Sequence, residues 1–240
     1  MAKRTTPTRP PSSPVLAYTP SRIPQKPLLV VYCEGEKTEP AYLDAFARKH
    51  LFPNELLKVY PAAGVPSTIV RKAIERKNEL IKELPNELRR AKEEHHKRFQ
   101  IWCVFDRDEH HGIPQALSEA RNHALKVAFS NPCIELWAVL HFEDCQHRPD
   151  DRTVLQNKAK QYMRKYDHEK NPVFDFSALL PLHDTAEKRA DEGLKRRAED
   201  GDAHGNPSTS FHLLLRVMRQ AAQRPTNPPV APPESTPACS

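Results

Sequence analysis

Two short runs, LLVVYC (Leu28–Cys33) and FQIWCVFD (Phe99–Asp106), constrain this chain most. Each is apolar nearly throughout, the pattern of a strand covered on both faces. Such strands need helices above and below them. The segments between supply these. Thr38, Glu39 and Pro40 open a helix through Tyr42, Leu43 and Phe46, proline being tolerated in a first turn. LLKVYPA (Leu56–Ala62) reads as a strand, and Ser67–Leu84 carries Ile69, Val70, Ala73, Ile74, Leu80, Ile81 and Leu84 at helical spacing. Ile113–Leu125 reads as helix and KVAFS (Lys126–Ser130) as strand. Strand and helix alternate, which predicts an α/β fold with a mainly parallel sheet flanked by helices.

After Asn131 the pattern is almost wholly helical, over Ile134–Phe142, Thr153–Tyr166, Thr185–Glu199 and Ser210–Gln223. Twelve of the 24 prolines cluster at the two ends, so residues 1–26 and 224–240 are expected to be disordered, proline-rich tails. The expected folded domain is residues 27–223, its part from 131 to 223 mostly helical. No apolar run approaches the ~20 residues of a membrane span, and the basic N-terminal stretch lacks the apolar centre of a signal peptide. Five cysteines without a C-x-x-C pair suit a reducing compartment, and a cytoplasmic protein is expected. The net charge of +6 permits a nucleic-acid partner without requiring one, since acids and bases are interleaved.

In an open α/β sheet, sites form in the crevice beyond the carboxyl ends of the strands. Two strand ends here carry acids. The first gives Glu34, followed by Gly35, which allows close backbone approach. The other gives Asp106 and Asp108 around Arg107, and alternate residues of an extended chain share a face. Three hard oxygen donors brought together suit Mg²⁺ or Mn²⁺. An acid after one strand is most often a cap or a solvated turn; two such ends in one α/β pattern favour a metal site.

The same residues carry a resemblance. A strand ending in Glu34-Gly35, followed by one ending in Asp106-x-Asp108, is similar to the Toprim core of topoisomerases, primases and related nucleases. More narrowly, CEGEKTEPAYLDAF, VFDRDEH, FSNPCIELWAVLHFED and GNPSTSFHLLL resemble the RloB-like family of prokaryotic defence proteins, in four ordered blocks from Cys33 to Leu215. The resemblance implies a Toprim-like fold, a role in anti-phage defence or abortive infection, and an AAA-type ATPase partner. It implies a metal-dependent nuclease acting on RNA, such as tRNA, or on DNA, with Glu34, Asp106 and Asp108 catalytic and metal-binding. Glu39 is either a further ligand or a first-turn helix acid. The alternative, from another class, is a non-catalytic regulatory subunit that binds a nucleotide or nucleic acid.

Other residues have weaker claims. Gly35, Lys37 and Arg107 are candidate phosphate contacts, and Glu36 alternates away from Glu34 toward solvent. His110 or His111 could meet phosphate or a leaving group. Asn131 could orient substrate, and Glu135, in the first turn of a helix after Asn131-Pro132, could point back toward the acids. Cys133 is a weak nucleophile candidate. Ser208, Thr209 or Ser210 should cap the last helix, and Ser208 and Thr209 could also touch phosphate. The basic runs elsewhere read as solvated helix faces.

Overall fold

The computed structural model describes residues 27–107, 110, 112–145 and 151–223. The two proline-rich tails, Asp108 and His111 lie outside them. In order the elements are β1 (Leu28–Cys33), α1 (Thr38–Lys49), β2 (Leu57–Tyr60), α2 (Pro66–Glu83), α3 (Asn86–Arg90), α4 (His95–Arg98) and β3 (Phe99–Asp106). Then come α5 (Ile113–Asn122), β4 (Lys126–Asn131), α6 (Glu135–Leu140), α7 (Arg152–Tyr162), α8 (Phe176–Leu179), α9 (His183–Glu199), β5 (Ser208–Thr209) and α10 (Phe211–Gln223).

The five strands form one sheet in the order β2-β1-β3-β4-β5. The first four are parallel, and β5 pairs antiparallel with β4 through Ser130–Thr209 and Asn131–Ser208. From β1 the chain moves outward to β2, then crosses back to β3 and continues the other way to β4. The order therefore reverses between β1 and β3, and a crevice opens beyond their carboxyl ends.

The pleat of β1 sends Leu29, Val31 and Cys33 to one face and Val30 and Tyr32 to the other, and each set is buried. On the first face, Tyr42, Leu43 and Phe46 of α1 pack with Trp137, Phe211 and Leu214 from the C-terminal helices. On the second, Ile69, Val70 and Ala73 of α2 meet Ile113, Ala116 and Ala120 of α5. Full burial of each large aliphatic side chain contributes about 1.5–3 kcal/mol before entropy is counted. Layers on both faces account for the unbroken apolar runs of β1 and β3. The helical C-terminal half is thus the second layer of one sheet.

Two segments differ from the reading of the sequence. The helix expected to reach Tyr166 stops at Tyr162, yet Met163 and Tyr166 stay buried as the chain turns. Ser208 and Thr209 form an edge strand. Thr209 still serves the following helix, because the Phe211 N–H donates to its Oγ1 at 3.2 Å. The hydroxyl of Ser210 turns to the sheet and accepts from the Phe129 N–H at 2.9 Å.

Candidate functional site

Glu34 and Asp106 meet at the crevice. The Glu34 N–H donates to the Val104 carbonyl at 2.9 Å, extending the β1–β3 ladder by one rung. The Asp106 N–H then donates to Glu34 Oε2 at 3.1 Å. Asp106 faces the start of α6, where the Ile134 N–H donates to its Oδ2 at 2.9 Å. His110 Nε2 lies 2.7 Å from the other oxygen of Glu34. One strand-end carboxylate is thereby fixed by a neighbouring strand and a histidine, and the other by a helix start.

Two more acids complete the group. Glu39, in the first turn of α1, is 4% exposed, and Glu135, the first residue of α6, is 2% exposed. Burial first, then the charges of Glu135 and Glu34, pushes the Glu39 carboxyl up to about 7, while the Gly35 amide works the other way. Burial, then Glu39 and Glu135, pushes Asp106 well above the ordinary carboxylate range, opposed by the Ile134 amide. The strongest charges acting on both acids are thus other carboxylates. Gly35 permits the crowding: a Cβ there would come within 2.1 Å of Glu39 Oε2.

Glu135 is held from behind. Its Oε1 accepts from the Tyr166 hydroxyl at 2.5 Å and lies 2.9 Å from His168 Nδ1. Burial, then the Glu135 charge, raises the Tyr166 phenol, which keeps it a donor. Here is the reason that helix α7 ends early: the turn after it carries Tyr166 and His168 to Glu135. Sequence reading missed both residues, and no local pattern marks them.

Other candidates are placed differently. Lys37, Glu36 and Arg107 are exposed, and Arg107 Nη1 reaches the His110 carbonyl at 3.5 Å. Asn131 is 8% exposed, and its Nδ2 donates to the His204 carbonyl at 2.7 Å, so its amide holds a loop. Ser208 and Thr209 are at most 1% exposed, with Thr209 Oγ1 3.0 Å from Ser130 Oγ; neither offers a free hydroxyl to a phosphate. Cys133 is fully buried, and burial followed by the charges of Glu135 and Asp106 pushes its thiol well up, away from nucleophilic use. Asp108 lies outside the described residues.

Buried carboxylates without an opposing cation must either hold protons or bind a positive ion. Their donor set, all hard oxygens, fits Mg²⁺ or Mn²⁺. Among the described residues, the one trio of metal-ligating groups with donor atoms within 4.8 Å of each other is elsewhere: His183, Asp184 and Glu187. Its two acids already accept from Arg219, at 2.8 and 2.6 Å. Among the described residues no trio of the strand-end acids meets that spacing.

No helix among the described residues is long and apolar enough to cross a membrane. No curated protein and no solved structure matches the chain closely enough to count as a relative. One family model does match, that of the RloB-like proteins, over residues 29–218, which takes in both sheet faces, all four buried or half-buried acids and the helical half. The chain belongs to the RloB-like family.

Proposed function

We propose that this protein is a divalent-metal-dependent nuclease that hydrolyses phosphodiester bonds in RNA, such as tRNA, or in DNA. The observation that carries the reading is the bond between Glu34 and Asp106 at the point where the strand order reverses, with Glu39 and Glu135 beside it. Asp106, Glu34 and Glu39 would hold Mg²⁺ or Mn²⁺, with Asp108 as a further ligand. Such an ion supplies neutralisation of phosphate charge and polarisation of a phosphorus–oxygen bond. The chain's own residues do the rest. Glu34 would act as general base toward an attacking water, and His110, whose Nε2 lies 2.7 Å from Glu34 Oε1, would steady that carboxylate. Arg107, exposed directly after Asp106, would meet the phosphate backbone.

Membership of the RloB-like family supports a role in anti-phage defence, with activity restrained by an AAA-type ATPase partner, because an unrestrained nuclease would harm its own cell. The test is cleavage of labelled plasmid, single-stranded DNA and total tRNA in Mg²⁺, Mn²⁺ or EDTA, with and without the ATPase. Metal-dependent cutting, lost in Glu34→Gln and Asp106→Asn, is expected. Retention of nucleic acid with no cutting even when the ATPase is added would replace the nuclease with a binding subunit.

A further inference from the structure

Among the described residues a cavity of about 580 Å³ opens at the other end of the sheet. Phe99, Gln100 and Lys126, the first residues of β3 and β4, line it, whereas Asp106 closes β3 at the opposite, carboxyl end of the sheet, where Glu34 follows β1. Strand β3 spans eight residues from Phe99 to Asp106, which separates the two places by about 23 Å at 3.3 Å per residue.

Its lining has one sign of charge. Lys77, Arg89, Lys92 and Lys126 contribute four cations, His96 and His123 add imidazoles, and no carboxylate lines it. Elsewhere on the surface some exposed bases do pair with acids, as Arg48 does with Asp44 and Arg71 with Glu75. Lys77 Nζ donates to the His123 carbonyl, and Arg89 Nη2 to the Lys82 and Leu84 carbonyls at 2.7 and 3.1 Å. Neutral carbonyls hold these heads in place without cancelling their charge. Lys92 and Lys126 are exposed at the rim. The floor is apolar: Phe99, Ile101 and Leu125, with Phe99 stacked on His95 at a centroid separation of 6.0 Å.

A basic rim over an apolar, aromatic floor is complementary to a molecule with several phosphate charges and a flat, weakly polar body. The volume falls within the 300–1,000 Å³ of small-ligand sites, and clustered cations without acids focus an attractive potential on anions. We propose that this cavity is a second ligand site, one that binds a nucleoside di- or triphosphate, with the phosphates on Lys77, Arg89, Lys92 and Lys126 and the base over Phe99. It does not depend on the nuclease reading, because its residues share nothing with the acidic crevice.

The test is calorimetric titration of the full chain in EDTA with ATP, GTP, inorganic tripolyphosphate and a twelve-residue oligothymidylate. EDTA keeps metal-bridged phosphate out of the acidic crevice. Lys92→Glu/Lys126→Glu reverses two exposed rim charges that hold no structural hydrogen bond among the described residues, so this variant should fold. Expected are micromolar binding of a nucleoside triphosphate, a loss of at least tenfold in the double variant, and unchanged binding in Glu34→Gln/Asp106→Asn. Affinity for tripolyphosphate equal to that for ATP would overturn the place given to the base. Binding of the oligonucleotide alone would overturn the small-ligand assignment in favour of a strand track. No binding, or binding unaffected by the double reversal, would overturn the site.

Discussion

The backbone N–H of Asp106, at the end of β3, donates to the side chain of Glu34, at the end of β1, at 3.1 Å. This bond makes the catalytic candidates mutually dependent in geometry and separable in chemistry. Glu34→Gln retains a carbonyl oxygen that can accept the same N–H, so thermal stability should stay within about 3 °C of the parent. Metal-dependent cleavage should nevertheless fall by at least about 100-fold, since the amide cannot take a proton. Melting curves and initial rates on the same preparation check both halves. A variant that cuts at the parent rate would remove Glu34 from the chemistry.

Gly35→Ala should act through Glu39. The added Cβ would stand 2.1 Å from Glu39 Oε2, and this carboxylate is buried, so it must swing out of its place. The far end of a side chain moves more cheaply than backbone, and the cost in stability should be about 1–2 kcal/mol. Metal-induced stabilisation should fall further. In a Glu39→Ala background the glycine change should cost almost nothing, giving a double-mutant cycle with clear coupling. Additive losses in the two single variants would show that Gly35 serves the turn and not the carboxylate.

How much of this was legible in the sequence follows from where each signal resides. β1 and β3 match their expected bounds residue for residue, because strands covered on both faces announce themselves by composition alone. Glu34 and Asp106 followed from them, since the end of a buried strand fixes where the next residue stands. The edge strand Ser208–Thr209 was not legible: two residues carry no periodicity, and their pairing with Ser130 and Asn131 is a long-range choice. Tyr166 and His168 were hidden for a related reason. Their partner Glu135 is more than thirty positions away, and helical spacing around Tyr162 gave no hint that the chain would turn.

The pH dependence of stability should carry the signature of Glu39. Its folded value of about 7 is above its ordinary 4.5, so between those values the folded chain keeps a proton that the unfolded chain has released. This group's contribution therefore falls as pH rises from about 4.5 to about 7 and stays at its lowest above that. Buried His141 and His183, lowered to about 3 and about 4, work the opposite way up to about 6.5, so the total curve would hide the effect. The comparison with Glu39→Gln in EDTA isolates it: the variant should gain on the parent steadily across that window. Mg²⁺ at pH 7.5 should restore the parent. A constant difference between pH 5 and pH 8 would contradict the burial of a titrating Glu39.

A separate prediction concerns the helical half. Glu187 of α9 is 6% exposed and accepts from Arg216 Nε and, at 2.6 Å, from Arg219 Nη2, both on α10. Glu187→Ala would remove the buried acid that the two partly exposed guanidinium groups share, leaving Arg216 on Asp191 and Arg219 on Asp184. A fully buried pair broken this way costs ~3–5 kcal/mol; solvent access to the arginines reduces the expectation to about 2–3 kcal/mol. Urea unfolding should show a lower midpoint with an unchanged slope. Metal binding at the acids should be unaltered, since Glu187 hydrogen-bonds to Arg216 and Arg219 and to none of them.

Tyr166→Phe offers the sharpest view of Glu135. The phenol donates at 2.5 Å to a carboxylate that is 2% exposed, and His168 Nδ1, 2.9 Å from the same oxygen, is left when the hydroxyl goes. A lost hydrogen bond to a buried charge costs about 1.5–3 kcal/mol, partly recovered because one donor remains. The ring still fills its place, so packing is preserved. With the phenol gone, Glu135 is held by His168 alone, and its orientation toward Asp106 becomes less defined. Mn²⁺ affinity, read by calorimetry, should fall by about three- to tenfold, and His168→Gln should have a smaller effect because His168 is partly exposed. Tyr166→Phe/His168→Gln should lose more than the two single losses combined, because the single variants each retain one donor. Unchanged Mn²⁺ affinity in the double variant would make Glu135 a structural acid, satisfied by Tyr166 for the sake of the core alone.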